Sequence, residues 1–139
     1  DNVFVRSDWL ADKTNQDTAV KFLKPSFEGW IYCRDHQQEC VNFVLKNGSL
    51  LGRGHQTWQM NEINAPIWPN PRGIGLPPPG SVAQTTNIAK TYGVIKKAPS
   101  GATNFKYARQ AIAELKGAGV NVNGLRWKKA NVKVTPGGN

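Results

Sequence analysis

Carboxylates are scarce in the second half of this 139-residue chain, where residues 63–139 hold eleven lysines and arginines against the single acid Glu114. Residues 1–62 hold seven basic and eight acidic side chains, so the net charge of +9 arises entirely beyond Glu62. A field of that sign favours anionic partners, whether nucleic acid, anionic lipid or a small anionic ligand, and says little about fold. The plainer reading of the same charge is a solvated face that keeps the protein dispersed. Long apolar runs are also missing. Nothing approaches the ~18 residues that a helical membrane span needs. The N-terminal residues show no basic segment followed by an apolar one, so a soluble chain without a targeting signal is expected. Cysteine is limited to Cys33 and Cys40, which fit no metal-ligand pattern. On one continuous helix they would stand about 10 Å apart along the axis, too far to bridge, although a turn between them would change that. The pair by itself therefore leaves the redox compartment open.

Catalytic signatures are absent as well. The chain has no Gly-x-Ser-x-Gly elbow, no glycine-rich loop ending in Lys-Ser/Thr, no Gly-x-Gly-x-x-Gly and no His-Glu-x-x-His. Neither a catalytic residue nor a cofactor is assigned.

What is present is mostly helical pattern. Ala19, Val20, Leu23, Phe27, Trp30 and Ile31 recur at three- and four-residue steps after a cap-like Thr14-x-x-Asp17. Pro25 lies inside that run and predicts a kink or break near Lys21 to Lys24. Asp35-x-x-Gln38 reads as a second start, with Cys40, Val41, Val44 and Leu45 on one face and Asn47-Gly48 as the stop. A third helix over 55–65 ends at Pro66. Six of the nine prolines fall in residues 66–80, which read as a Pro/Gly-rich loop pinned down by Trp58 and Trp68. Val82, Thr85, Ala89 and Tyr92 mark a fourth helix closed by Gly93, with Tyr92 facing the core. Phe105, Ala108, Ile112 and Leu115 mark a fifth, closed by Gly117 and Gly119. Residues 3–10 begin with alternating apolar and polar positions and predict a short strand or an extended entry segment, and residues 127–134 predict a terminal strand. The expected fold is mainly α with α+β character: about five helices with short N- and C-terminal strands in a single domain, 1–139.

His55, Gln59 and Glu62 stand at i, i+4 and i+7 and share one helix face. Glutamine is a poor metal ligand, so the face reads as polar and hydrogen-bonded to its neighbours, and no metal site is assigned. A hydrolase using His55 and Glu62 would lack a nucleophile. The tryptophans Trp9, Trp30, Trp58, Trp68 and Trp127 read as structural, with Trp30 in the core stripe. A polyanion patch is carried by Lys96, Lys97, Lys106, Arg109, Arg126, Lys128 and Lys129, within residues 90–133. Few aromatics interleave with it, so nucleic acid is not the expected partner.

The strings TAVKFLKPSFEGWIYCRDHQQECVNFVL, LGRGHQTWQMNEINAPIWPNPRGIG and TYGVIKKAPSGATNF, with the tail WKKANVKVTPGGN, resemble substrate-binding proteins of bacterial ABC importers in the thiamine-precursor, nitrate and sulfonate group. GWIYCRD and WQMNEIN are the most distinctive. The resemblance runs through nearly the whole chain and departs from the family at Pro25 and in the proline-rich GLPPPGSV. It implies the C-terminal part of a type II periplasmic binding protein with two α/β lobes, in which residues 1–10 return from the second lobe. It further implies a non-enzymatic module for a small planar or anionic compound, a periplasmic or extracellular location, and an ABC permease as partner. Phe4 and Arg6, near the lobe crossing, are the positions it nominates for ligand contact. A fragment of such a protein would expose faces normally covered, and a homo-oligomer is expected to cover them.

Overall fold

The computed structural model describes residues 2–48 and 50–138. Asp1, Ser49 and Asn139, which belong to the N-terminal segment, the glycine-rich link and the tail read above, lie outside the described residues. Six helices follow one another: α1 (Ser7–Ala11), α2 (Lys13–Asp35), α3 (Gln37–Asn47), α4 (Arg53–Asn64), α5 (Ser81–Thr91) and α6 (Lys106–Gly117).

Helix α2 begins where the Asp12 carboxylate accepts a hydrogen bond from the Thr14 amide at 2.7 Å, satisfying one of the donors a helix start leaves open. Asp12, and not Thr14, is the cap. The helix then continues through Pro25 to Asp35, which corrects the expected break near Lys21 to Lys24. Pro25 is exposed, on the side of the helix away from the core, and so is Lys21, whose carbonyl it leaves without a donor. Val20, Phe27 and Ile31 face the other way. They pack against α6, whose Tyr107, Ala108, Ala111, Ile112 and Leu115 are buried at helical spacing. The two alanines allow close approach of the helices, and together the two stripes form the centre of the core.

The proline-rich segment supplies the third side of that core. Trp68 is 1% exposed, and Ile74 and Leu76 are buried beside it. Gly75 has φ +79, and a Cβ there would stand 2.5 Å from the Phe27 ring, so glycine is needed both for the backbone and for the contact. The Ile74 amide donates to the Val122 carbonyl and the Asn70 amide to the Asn123 carbonyl. These two cross-links hold the loop against the segment after α6 without forming a sheet.

No strand occurs among the described residues, which corrects the α+β expectation. Val3 to Arg6 are exposed and form no strand, so of the two readings of residues 3–10 the strand does not hold, and the chain enters α1 at Ser7, inside that span. Residues 127–134 are irregular too. Alternation in those segments satisfies only one requirement of a strand; the other is a neighbouring backbone to pair with. At Ala130 that role falls to a side chain, because Asn61 on α4 donates to the Ala130 carbonyl and accepts from its amide, both at 2.9 Å.

His36 interrupts the helical path with φ −127 and ψ 50, so that α2 and α3 meet at an angle. Cys33 and Cys40 thereby come to a Cα separation of 5.6 Å and form a disulfide. The bridge ties α3, and α4 packed on it, to the end of α2. Closing so short a loop limits the unfolded chain by about 2 kcal/mol. We expect Cys33→Ser with Cys40→Ser to lower unfolding stability by about that amount, and reductant to have the same effect on the unaltered protein but none on the double variant. Urea unfolding with and without a dithiol checks this.

Candidate functional site

The distinctive strings meet at one place. From GWIYCRD comes Arg34, only 5% exposed. Its Nε and Nη2 donate to the two oxygens of Asp35 at 2.7 Å each, and its Nη1 donates to the Asn121 carbonyl, also at 2.7 Å. The guanidinium carbon lies 4.6 Å from the centroid of the Trp68 ring, a cation–π stack inside the protein. Trp68 Nε1 in turn donates to Asn64 Oδ1 at 3.0 Å. Asn64 is fully buried, as is Asn61 three residues earlier, and both come from WQMNEIN. Gly124, with φ +56, closes the cluster: a Cβ there would stand 2.8 Å from the Trp68 ring and 3.0 Å from Arg34 Nη1. Asn64 Nδ2 is the one buried side-chain polar atom among the described residues without a hydrogen-bond partner.

Chemically this cluster is a clasp. It joins α2, α4, the proline-rich segment and the segment after α6 through a planar cation that can use its faces and edges at once. It presents no nucleophile beside a base. Asp35, half-exposed, is held below the ordinary carboxylate range, chiefly by the hydrogen bond from Arg34, with partial burial opposing.

A second group of titratable side chains sits at the α2–α3 corner. Tyr32 donates from its hydroxyl to Glu39 Oε2 at 2.6 Å, and His36 Nδ1 lies 3.2 Å from Glu39 Oε1. The Tyr32 and His36 rings stack at 4.4 Å. The hydrogen bond to Glu39 raises the Tyr32 phenol above its usual range. The corner borders a shallow depression lined by residues 34–39. Another depression, mainly apolar, is lined by Phe43, Val44, Asn47, Gly48 and Leu51.

The nominated residues do not gather into one site. Phe4 is 91% exposed, and Arg6 forms an exposed ion pair with Asp8. His55, Gln59 and Glu62 do lie along α4, and the C-terminal segment runs beside them. The His55 amide donates to the Gly138 carbonyl, and the Glu62 carboxylate pairs with Lys129. Of the three side chains, Glu62 is the one these contacts engage, since His55 bonds the tail through its backbone. Lys96, Lys97, Lys106, Arg109, Arg126 and Lys128 are exposed, and of the seven patch residues Lys129 alone is ion-paired among the described residues. Trp30 is partly buried against the core. Trp58 is 38% exposed and lies near the His55 ring, so only Trp68 pins the proline-rich loop. Tyr92, read as core-facing, is 80% exposed.

The reading from spacing missed both the Arg34 clasp and the Tyr32–His36–Glu39 cluster. The second has a signal, since positions 32, 36 and 39 lie one helical turn apart in succession. The first has none in periodicity, because its members are separated by up to 90 residues. Among the described residues no group of three His, Cys, Asp or Glu is placed to hold a metal, and no helix is long and apolar enough to cross a membrane. No protein-family model matches the chain, and no curated protein or solved structure matches it either.

Replacing Arg34 with Met should cost about 2–3 kcal/mol, because the Asn121 carbonyl and the Asp35 carboxylate lose a charged donor and Trp68 loses its stacked cation. Arg34→Lys should recover only part of this, since an ammonium cannot make the fork to Asp35. The lowered Asp35 value has a definite sign. Its contribution to stability is complete above the unfolded value of about 3.9 and is lost as pH falls through the lower folded value. Urea midpoints measured below about pH 4 should therefore fall less steeply in Arg34→Met than in the unaltered protein.

Proposed function

We propose that the chain is a non-enzymatic solute-binding module of the kind used by ABC importers, taking a small planar or anionic compound. The observation that carries this reading is the convergence of Arg34, Asn61, Asn64 and Trp68 in one buried clasp. Two of the strings that resemble the thiamine-precursor, nitrate and sulfonate group meet in it: Arg34 comes from the first, and Asn61, Asn64 and Trp68 come from the second. The Cys33–Cys40 bridge supports a periplasmic or extracellular setting, since disulfides persist in oxidising compartments. An ABC permease is then the protein partner. Exposed Phe43 on α3 and Leu51 after it, together with Phe4, offer apolar surface that a second copy would cover, and this reading puts the solute cleft between copies. A panel of small planar and anionic compounds tests the reading by thermal unfolding. A ligand present at 100 times its dissociation constant stabilises by about 2.7 kcal/mol, and failure of the whole panel to raise Tm would refute a surviving pocket. Light scattering at low and high salt tests the assembly: a dimer agrees with the shared cleft, and a monomer removes it.

A second reading is favoured by the unpaired cations. Lys96, Lys97, Lys106, Arg109, Arg126 and Lys128 would hold an anionic polymer through counterion release. Titration with a sulfated polysaccharide at rising salt separates the two readings, because this one requires affinity to drop steeply along a log–log line whose slope counts the contacts.

A further inference from the structure

Helix α5 is the outlier of the fold. Its eleven residues include none that is buried, and it packs on none of the other helices beyond isolated contacts. A helix of that length is marginal in water without a surface to pack on. Its larger apolar side chains nonetheless fall on one side: Val82 and Ile88, with Ala89, Thr85 and the capping Tyr92, follow helical spacing along a single stripe, and only the small Ala83 lies off it. The stripe faces solvent, with Ile88 53% and Tyr92 80% exposed, and Val94 just past the helix is 76% exposed. Pattern and packing thus disagree: the sequence prepares an apolar face that the protein's own core does not use.

Charge indicates what covers it. Between Glu62 and Glu114 there is no carboxylate, while Arg72, Lys90, Lys96, Lys97, Lys106 and Arg109 fall in that interval. Lys90 lies on the helix away from the stripe, and Lys96 and Lys97 follow its end; none of the three is ion-paired among the described residues. A second copy docked stripe to stripe would bring these cations together with no acid to offset them. A protein groove calls for deep anchors, and the stripe interleaves its larger Val82, Ile88 and Tyr92 with the small Thr85 and Ala89. An anionic bilayer surface asks for neither acids on this chain nor shape complementarity. It takes a shallow apolar stripe, a tyrosine at headgroup depth and flanking lysines. We infer that α5 and the residues up to Lys97 dock on an anionic lipid surface, with the stripe in the headgroup region and the lysines against the phosphates.

The test uses the intact, disulfide-bonded protein and co-flotation with vesicles. One set is phosphatidylcholine alone; the other contains about one-third phosphatidylglycerol. Binding is expected only to the second. Ile88→Ser with Tyr92→Ser should weaken it at least about tenfold at physiological salt, and Lys96→Ser with Lys97→Ser should also weaken it. All four side chains are exposed, so the core is left intact, which circular dichroism verifies. A polarity-sensitive dye at Thr85→Cys should brighten on the vesicles, and one at Asn87→Cys, on the opposite side, should not. Four outcomes would overturn the inference. They are no binding to either vesicle, binding that survives loss of Ile88 and Tyr92, a dye at position 85 that stays silent on bound vesicles, and a dimer that the Ile88/Tyr92 variant dissociates.

Discussion

The guanidinium of Arg34 is the point through which the separate parts of this chain are held in register. Its edge bonds Asp35 and the Asn121 carbonyl while its face lies on Trp68, so one cation links α2, the proline-rich segment and the stretch that follows α6. A buried cation is tolerated only when charge and hydrogen bonds compensate the loss of water, and here both do. Trp68 is fixed on its other side by Asn64, and Asn61 extends the same device to Ala130. Polar side chains thus do in this protein what backbone ladders do in sheet proteins: they satisfy irregular segments that have no strand to lie beside.

That arrangement explains how a chain with no strand among its described residues still orders long irregular stretches. Residues 66–76 and 120–130 contain prolines, glycines and asparagines that suit neither helix nor sheet, yet Trp68, Ile74 and Val122 are all buried. The core formed by α2 and α6 supplies the apolar surface, and the clasp supplies the hydrogen bonds. The disulfide then fixes the α3–α4 pair to the same end of α2. Around this body the two halves of the chain differ in charge, and the half with the single acid Glu114 includes α5, a helix that finds no place in the core.

Helix positions were largely legible, because an amphipathic stripe is a local property that three- and four-residue spacing reveals. The apolar run from Ala19 to Ile31 and the face of Phe105, Ala108, Ile112 and Leu115 both became core. Pro25 misled for a physical reason: its cost depends on what surrounds it, and on the solvent side little does. The two strand segments misled for another, since alternation near Val3 and near Val134 carries no information about a pairing partner. Tyr92 matched helical spacing but not burial, because periodicity shows which residues share a face and not whether anything covers it.

The candidate sites divide along the same line. The Pro/Gly-rich loop and the shared face of His55, Gln59 and Glu62 could be read from residue order alone, as could the confinement of the net positive charge to residues 63–139. Composition and local spacing determine such features within one or two helical turns. What the face of α4 touches, whether Cys33 meets Cys40, and why GWIYCRD and WQMNEIN hold the residues they do were decided only by the tertiary structure. Those contacts join positions dozens of residues apart or turn on a single break at His36, and no local preference encodes the meeting of two distant segments.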